Sequence, residues 1–484
     1  MSDTPMNIVP LNVGASSLPQ PIVPLTLPEV EEFLGRCVST TGSEEGDPPM
    51  AELVRRLREA PVAPGSVVMI AVSNSIRLLR FFFAVSLAGH VPLLLAPSTP
   101  TPRVRELAVR LGATALIGTR GKVRTAAIKA DHVTELCVGA EMLLFDSHPT
   151  VRHNPGQVIL LTSGTSGMAT GCLHDLSALL RNARRHARSI GLTGSDTVLV
   201  TLPIYYSFAL VAQVLASLTS GAMLFVSGPP FSVAAYNGDL ARHGITVSSL
   251  TPLLVEGLLS IDGTLPPALR TLSVGGQSLA SPHTARLFQR NPALALYLTY
   301  GLTEAGPRVS TLAAHREPPE RYSSAGLPMD GVRLTFRDAG RGPLAQEVLV
   351  TSDTVYRKRL GVPPENSARR GGLIAVDTVA TGDLGYLDNE GYLHLRGRLS
   401  DFAMIRGEKV SLASVRAIAA TLPGVVRVVA RVDQRADALS LELFVKQPSP
   451  NETSLRRTLF SLLAPHERPA HLMVHSVEAG VLHK

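Results

Sequence analysis

The apolar runs of this chain are short and evenly spaced, and two periods alternate along it. Ser66–Val72 is an unbroken apolar run, which predicts a buried strand. Ile76–Ala88 carries its apolar residues at helical spacing, and His90–Leu95 is again continuous. A helix over Arg103–Leu111 and a strand over Thr114–Ile117 follow, joined by short Gly/Pro turns. Upstream, Val30–Arg58 reads as helical, broken by the loop Gly42–Pro49. The alternation resumes with strand Gln157–Leu161, helix Ser177–Ile190, strand Val198–Leu202, a helix near Phe208–Leu218 and strand Ala222–Val226. Segments Leu240–His243 and Thr246–Leu250, helix Pro252–Leu259 and strands Leu272–Val274 and Ala295–Thr299 complete it. Such alternation specifies an α/β fold with doubly wound, parallel sheets.

From about Ala325 the pattern changes. Val332–Arg337, Glu347–Thr351, Leu373–Val376, Leu384–Tyr386 and Tyr392–Arg396 are short alternating runs between Gly and Asp turns, the mark of a small antiparallel sheet or barrel. After Asp401 comes a compact α+β unit: helix Ser411–Thr421, strands Val425–Val432 and Ser440–Val445, helix Ser454–Leu463 and strand Leu472–Ser476. The expected organisation is therefore a loose arm over 1–26, a large domain over 27–400 with a β-rich part at 325–400, and a small mobile domain over 401–484.

Composition narrows the class. The chain has 484 residues, 45% hydrophobic and 18% charged, which is an ordinary globular balance. The formal charge is +7, spread along the chain, so small anionic substrates are expected rather than nucleic acid. Thr197–Gly238 holds no charged residue, but Pro203, Gln213 and Gly221 interrupt it. It reads as buried βαβ structure rather than a membrane span. Cys37, Cys137 and Cys172 match no metal spacing, and a reducing cytoplasm is the simplest expectation. Cys172 reads as a packing residue.

Chemistry concentrates at strand ends. Thr162-Ser163-Gly164-Thr165-Ser166-Gly167-Met168-Ala169-Thr170-Gly171 follows the strand Gln157–Leu161 and holds five hydroxyls and three glycines. Glycines turn N–H groups toward one point at low steric cost, making an anion nest that hydroxyls extend. A polyphosphate is the fitting anion, although the spacing is neither a Walker loop nor a dinucleotide fingerprint. Gly275-Gly276-Gln277 and Tyr300-Gly301-Leu302-Thr303-Glu304 also fall at strand ends, where open parallel sheets bind ligands. A Glu so placed can hold Mg²⁺, which prefers oxygen ligands beside phosphates. A carboxylate in the turn Thr381-Gly382-Asp383 could accept both hydroxyls of a ribose, with Arg398 near the same sugar or phosphate.

In order and spacing these motifs resemble the acyl-adenylating superfamily of acyl- and aryl-CoA ligases, peptide-synthetase adenylation domains and luciferases. Gly397-Arg398-Leu399-Ser400-Asp401, Leu202-Pro203-Ile204-Tyr205-Tyr206-Ser207-Phe208, Gly326-Leu327-Pro328 and Gly407-Glu408-Lys409-Val410 add to the match. The resemblance implies that a carboxylate attacks the α-phosphate of ATP·Mg²⁺, giving an acyl-adenylate and pyrophosphate. A thiol of CoA or a carrier protein then attacks after the small domain has rotated. It implies that the hydroxyl loop, Thr162 with Ser163, Gly164, Thr165, Ser166 and Gly167, holds the leaving phosphates. Thr303 and Glu304 serve phosphates and Mg²⁺, Gly275, Gly276, Tyr300 and Gly301 border the nucleotide, and Asp383 binds the ribose with help from Arg398. Asp401 is the hinge. Tyr205, Tyr206, Ser207 and Phe208 stand where amino-acid-activating relatives carry an aspartate, which points to an aryl or acyl acid.

Two departures matter. The phosphate loop of the family continues Pro-Lys-Gly, and here Ala169-Thr170-Gly171 puts Thr170 at the lysine. The C-terminal Gly-Lys is Gly480-Val481, with Lys484 three residues on. Losing a cation aimed at the transition state costs on the order of 3–4 kcal/mol. Three readings compete: an acid–thiol ligase, an amide-forming or adenylate-consuming relative, and a non-catalytic acyl- or nucleotide-binding homologue.

Overall fold

The structure is a computed structural model that describes residues 25–40, 46–121, 123, 133–145, 151–162, 170–339, 346–361, 372–399, 402–405, 408–433, 438–446, 451–463 and 467–477. Two eight-stranded sheets form its α/β part. In the first, the parallel strands Gln157–Thr162, Val91–Leu94, Val67–Ala71 and Ala113–Thr119 lie side by side. Antiparallel strands close both flanks: Thr170–Asp175 then Lys358–Leu360 on one side, Ala140–Leu144 then Val133–Cys137 on the other. In the second, Cys37–Ser39, Met223–Val226, Thr197–Val200, Val247–Leu250, Thr271–Gly275 and Ala295–Gly301 run parallel in that spatial order. Arg308–Ala313 and Leu327–Pro328 then extend it antiparallel.

Burial on both faces explains the continuous apolar runs: every residue of Val67–Ala71 is buried. The helix Ile76–Leu87 starts at Ser75, whose hydroxyl accepts from the Leu78 N–H at 3.1 Å. It packs into one core with the helix Leu176–Ser189 through residues such as Phe82, Leu179 and Ala183, so that core fills the space between the sheets.

The expected β-rich part is a five-stranded antiparallel sheet of Val332–Asp338, Gln346–Ser352, Thr378–Leu387, Leu373–Ala375 and Leu393–Arg398. Beyond it stand the hairpin Phe402–Ile405/Glu408–Ser411, the helix Leu412–Ala420, the strands Val425–Asp433, Ala438–Lys446 and His471–Val477, and the helix Glu452–Leu462. They share one core that includes Val415, Leu441 and Leu459.

Several elements differ from the sequence expectation. Thr170–Asp175, Arg308–Ala313 and Lys358–Leu360 are strands that polar composition hid. Cys37–Ser39 is a strand inside a stretch expected to be helical, because it adds an edge to the second sheet. Helices Val233–Arg242 and Ser281–Arg290 were not expected. The helix expected near Phe208–Leu218 widens into π geometry over Leu210–Leu215, where Gln213 Nε2 donates to the Leu199 carbonyl at 2.9 Å. Such widened turns often accompany functional sites.

Gly301 shows how tightly the second sheet closes at its end. A Cβ there would lie 2.1 Å from the Pro307 carbonyl oxygen, across the turn that leads into Arg308–Ala313. Gly301→Ala should therefore destabilise the protein by at least about 1–3 kcal/mol. Urea unfolding checks this, and an unchanged midpoint would show that the turn relaxes freely.

Candidate active site

A cavity of about 830 Å³ opens at the carboxyl ends of Thr271–Gly275 and Ala295–Gly301. Gly276, Tyr300, Gly301, Asp383 and Arg398 line it, and Arg416 reaches it from the helix Leu412–Ala420. Its size suits a nucleotide-sized ligand.

Thr381-Gly382-Asp383 is not the expected turn: it lies inside the strand Thr378–Leu387, where the pairing with Gln346–Ser352 shifts register, and that irregularity aims Asp383. Gly382 takes a left-handed φ of +73°, which a side chain would strain, and its N–H donates to Glu347 Oε1 at 2.9 Å. The Thr381 hydroxyl donates to the Val348 carbonyl at 2.8 Å and accepts from the Asp383 N–H at 2.9 Å. The carboxylate is then held from two sides. The Tyr300 hydroxyl donates to Oδ2 at 2.6 Å, and Arg398 Nε donates to Oδ1 at 2.7 Å. Burial, and secondly the Asp383 charge, push the Tyr300 phenol well above its ordinary range, so it stays a neutral donor.

Glu304 lies in the short turn Thr303–Ala305 that follows this strand. It is nearly buried, and burial raises its pKa even though Arg359 works against that. Arg359 Nη2 donates to Glu304 Oε1 at 2.5 Å. Tyr356 ties the same segment down, its N–H donating to the Glu304 carbonyl at 3.0 Å, and the Thr354 hydroxyl donates to the Ala305 carbonyl at 2.8 Å. Arg359 stands opposite Cys172 in the strand pair that edges the first sheet. Thr170 lies two residues before Cys172 and so on the same face. Arg359 therefore rises beside the position where the family carries a lysine. The Cys172 thiol is pushed up by burial and by Glu304, which makes it a packing residue rather than a nucleophile.

The strand Gln157–Thr162 packs against the turn Thr303–Ala305. Thr162 and Thr170 face each other at the open end of their hairpin, hydroxyl to hydroxyl at 2.7 Å. Ser163, Gly164, Thr165, Ser166 and Gly167 lie outside the described residues, as do Asp401, Val481 and Lys484. Ser207 Oγ and Thr303 Oγ1 are 2.9 Å apart. The Phe208 ring reaches to 3.2 Å from where a side chain on Gly275 would begin. Tyr205 and Tyr206 pair with each other, ring centroids 4.7 Å apart, and Tyr206 is exposed.

The structure thus brings Gly275, Gly276, Tyr300, Gly301, Thr303, Glu304, Asp383, Arg398, Ser207 and Phe208 into one neighbourhood. Arg359, Asn74 and Arg416 were not anticipated. Arg359 sits in Arg357-Lys358-Arg359, which reads as a solvated charge run. Asn74 is buried between the sheets: its Nδ2 donates to the Leu202 carbonyl at 2.9 Å, and its Oδ1 accepts from the Ile204 N–H at 3.0 Å. It clamps the start of the Tyr205–Phe208 segment.

Residues 50–351 match the family model for AMP-binding enzymes. The chain belongs to that family. It is 27% identical over 396 residues to an oxalate–CoA ligase of Arabidopsis thaliana, covering 77% of this chain and 76% of that one. It is 24% identical to 4-coumarate–CoA ligase 1 of Solanum tuberosum, covering 89% and 87%. An O-succinylbenzoate Coenzyme A synthetase of Bacillus subtilis, in complex with ATP and magnesium ion, shares the fold with a TM-score of 0.70 over 92% of this chain and 95% of that one, at 20% identity. The expected membership of the acyl-adenylating superfamily is borne out, and with it the α/β fold and the reading as an acid-activating ligase. No described helix is long and apolar enough to cross a membrane.

In this AMP-binding enzyme, Asn74→Ala should cost about 2–4 kcal/mol, because two buried backbone groups lose their partner. The carboxylic acid's KM should rise more than that of ATP, since the clamp holds the segment Tyr205–Phe208 that is expected to border the acid. Equal effects on both would remove Asn74 from a role in placing that segment.

Proposed function

We propose that the protein activates a carboxylic acid with ATP as an acyl-adenylate and passes the acyl group to the thiol of CoA. The observation that carries this is Asp383, held between Tyr300 and Arg398 in the wall of the 830 Å³ cavity, with Thr303 and Glu304 at the end of the neighbouring strand. A carboxylate has roughly four acceptor sites, so it can serve a ribose while partners hold its orientation. Tyr300 borders the adenine, and Thr162 with the hydroxyl loop serves the departing phosphates. The segment from residue 401 onward is the part proposed to rotate between half-reactions, and Arg416 is its contribution to the cavity wall.

Glu304 offers the hard oxygen that suits Mg²⁺, with Oε1 already bonded to Arg359. The ion would be held jointly by Glu304 and the phosphates of the substrate, whose charge it neutralises. Arg359 supplies a cation where Thr170 cannot. Its guanidinium is only partly exposed and can pass from carboxylate to phosphate as a planar double donor. This makes adenylation possible without the family lysine.

The acid is an aryl or acyl acid. Oxalate and O-succinylbenzoate, named for two of the similar proteins, each carry two carboxylates, whereas 4-coumarate carries one.

Acid-dependent pyrophosphate release, measured with and without CoA and with a loaded carrier protein, tests the function. Acyl-CoA formation is the expected result; release without thioester would favour the amide-forming alternative. Asp383→Asn should weaken ATP binding at least about tenfold, since charged hydrogen bonds are worth about 1.5–3 kcal/mol. Unchanged affinity by calorimetry would remove Asp383 from the ribose. Arg359→Met should slow pyrophosphate release about 10²–10³-fold, the usual loss for a donor aimed at developing charge. Thioester formation from supplied acyl-adenylate should persist. A variant as fast as the native enzyme would show that Arg359 only neutralises Glu304.

A further inference from the structure

Partly buried arginines in the described part of the chain pair with carboxylates, Arg359 with Glu304 and Arg185 with Asp353 at 2.6 Å. Arg308 breaks this habit. It opens the strand Arg308–Ala313 and is 3% exposed. Asn182 fixes its backbone on both sides, donating to its carbonyl and accepting from its N–H, each at 2.9 Å. The Phe208 ring covers one face of the guanidinium, with Cζ 4.7 Å from the ring centroid. Yet Nε and Nη2 have no hydrogen-bond partner among the described residues. These two nitrogens form one edge of the guanidinium, the fork that grips a carboxylate with two parallel bonds.

Beside it lies His186, buried on the helix Leu176–Ser189, with both ring nitrogens also lacking partners among the described residues. Burial, with the Arg308 charge second, drives the imidazole down to about 3, and burial alone pulls the guanidinium down to about 9. An uncompensated buried cation is a standing destabilisation, and buried polar groups are ordinarily satisfied.

The place of this cluster gives it a use. Arg308 sits across the strand pair from Gly301, which lines the cavity. Phe208 bridges Arg308 to Gly275, whose neighbour Gly276 lines the cavity too, and Ser207 before it meets Thr303. Arg308 is thus joined to the cavity wall through its strand partner Gly301 and through Phe208.

We propose that Arg308, with His186 beside it, binds a second, non-reacting anionic group of the acid, so that the substrate is a dicarboxylic acid. This rests on the acid-activating function proposed above. One carboxylate reacts at the Thr303 end, while the other accepts from Nε and Nη2 of Arg308. A monoacid leaves the guanidinium unpaired and is discriminated against for that reason.

The test compares dicarboxylates with their half-methyl esters, which keep the size and lose the second charge. The wild type should favour the diacid over its half ester in kcat/KM for pyrophosphate release by about 100-fold or more, the scale of a buried charge pair. In Arg308→Met that ratio should collapse toward one while the KM for ATP holds. Thermal stability should not fall, because an unsatisfied cation has been replaced by an apolar chain of similar length. No diacid preference in the wild type overturns the proposal, and that comparison does not depend on the variant folding. An Arg308→Met protein that slows both substrates equally, or melts lower, also overturns it and makes the cluster structural. If no acid releases pyrophosphate, the ligase reading fails separately. Calorimetric binding of the diacids then decides: uptake by the wild type and not by Arg308→Met upholds the anion site, and no uptake by the wild type overturns it.

Discussion

A buried carboxylate needs a cation, and the pairing of Glu304 with Arg359 is the constraint on which the site depends. Removing either partner would strand a charge in a poorly solvated place. The pair also has a topological effect. Glu304 belongs to the end of the second sheet, while Arg359 lies on the edge strand of the first. Their contact pins the two sheets at the point where the strands Gln157–Thr162 and Ala295–Gly301 deliver their residues. Thr354 and Tyr356, just upstream of Arg359, hold the backbone of the same turn.

Around that junction the chain separates its tasks by environment. Asp383 takes two donors from opposite sides and becomes a fixed acceptor. Glu304 takes a cation, Arg359. Arg308 has no carboxylate partner among the described residues: the Phe208 ring covers its guanidinium and Asn182 holds its backbone. Three charged residues within one turn and its neighbours thus present an acceptor, a compensated pair and an unsatisfied donor. In the proposed function that separation assigns a sugar, a polyphosphate and an acid to different groups.

In the proposed function the cation missing at Thr170 is supplied from the neighbouring strand. The need for positive potential beside the departing phosphates is set by chemistry. The strand that supplies it is not. Lys358–Leu360 pairs directly with Thr170–Asp175, so an arginine there can project from the neighbouring strand into nearly the same space. Arg359 is longer and forked, which also lets it satisfy Glu304 when no phosphate is near.

Much was readable from sequence because it rests on local physics. The alternating α/β order and the placement of Tyr300 and Glu304 at a strand end follow from periodicity, whereas Thr381-Gly382-Asp383, expected as a turn, proved to be an irregular part of the strand Thr378–Leu387. Those signals lie within a few residues of one another. Other features needed tertiary contacts between distant segments. Asn74 meets Leu202 and Ile204, Arg359 meets Glu304, and Arg308 meets Asn182 and Phe208. Thr170–Asp175 and Lys358–Leu360 were hidden as strands because His174, Asp175, Lys358 and Arg359 look like solvent-facing residues until pairing places them at a sheet edge. Sequence determines which residues can turn, pair or bury themselves. Only the folded arrangement decides which charges are compensated, because compensation is a property of residues far apart in the chain and near in space.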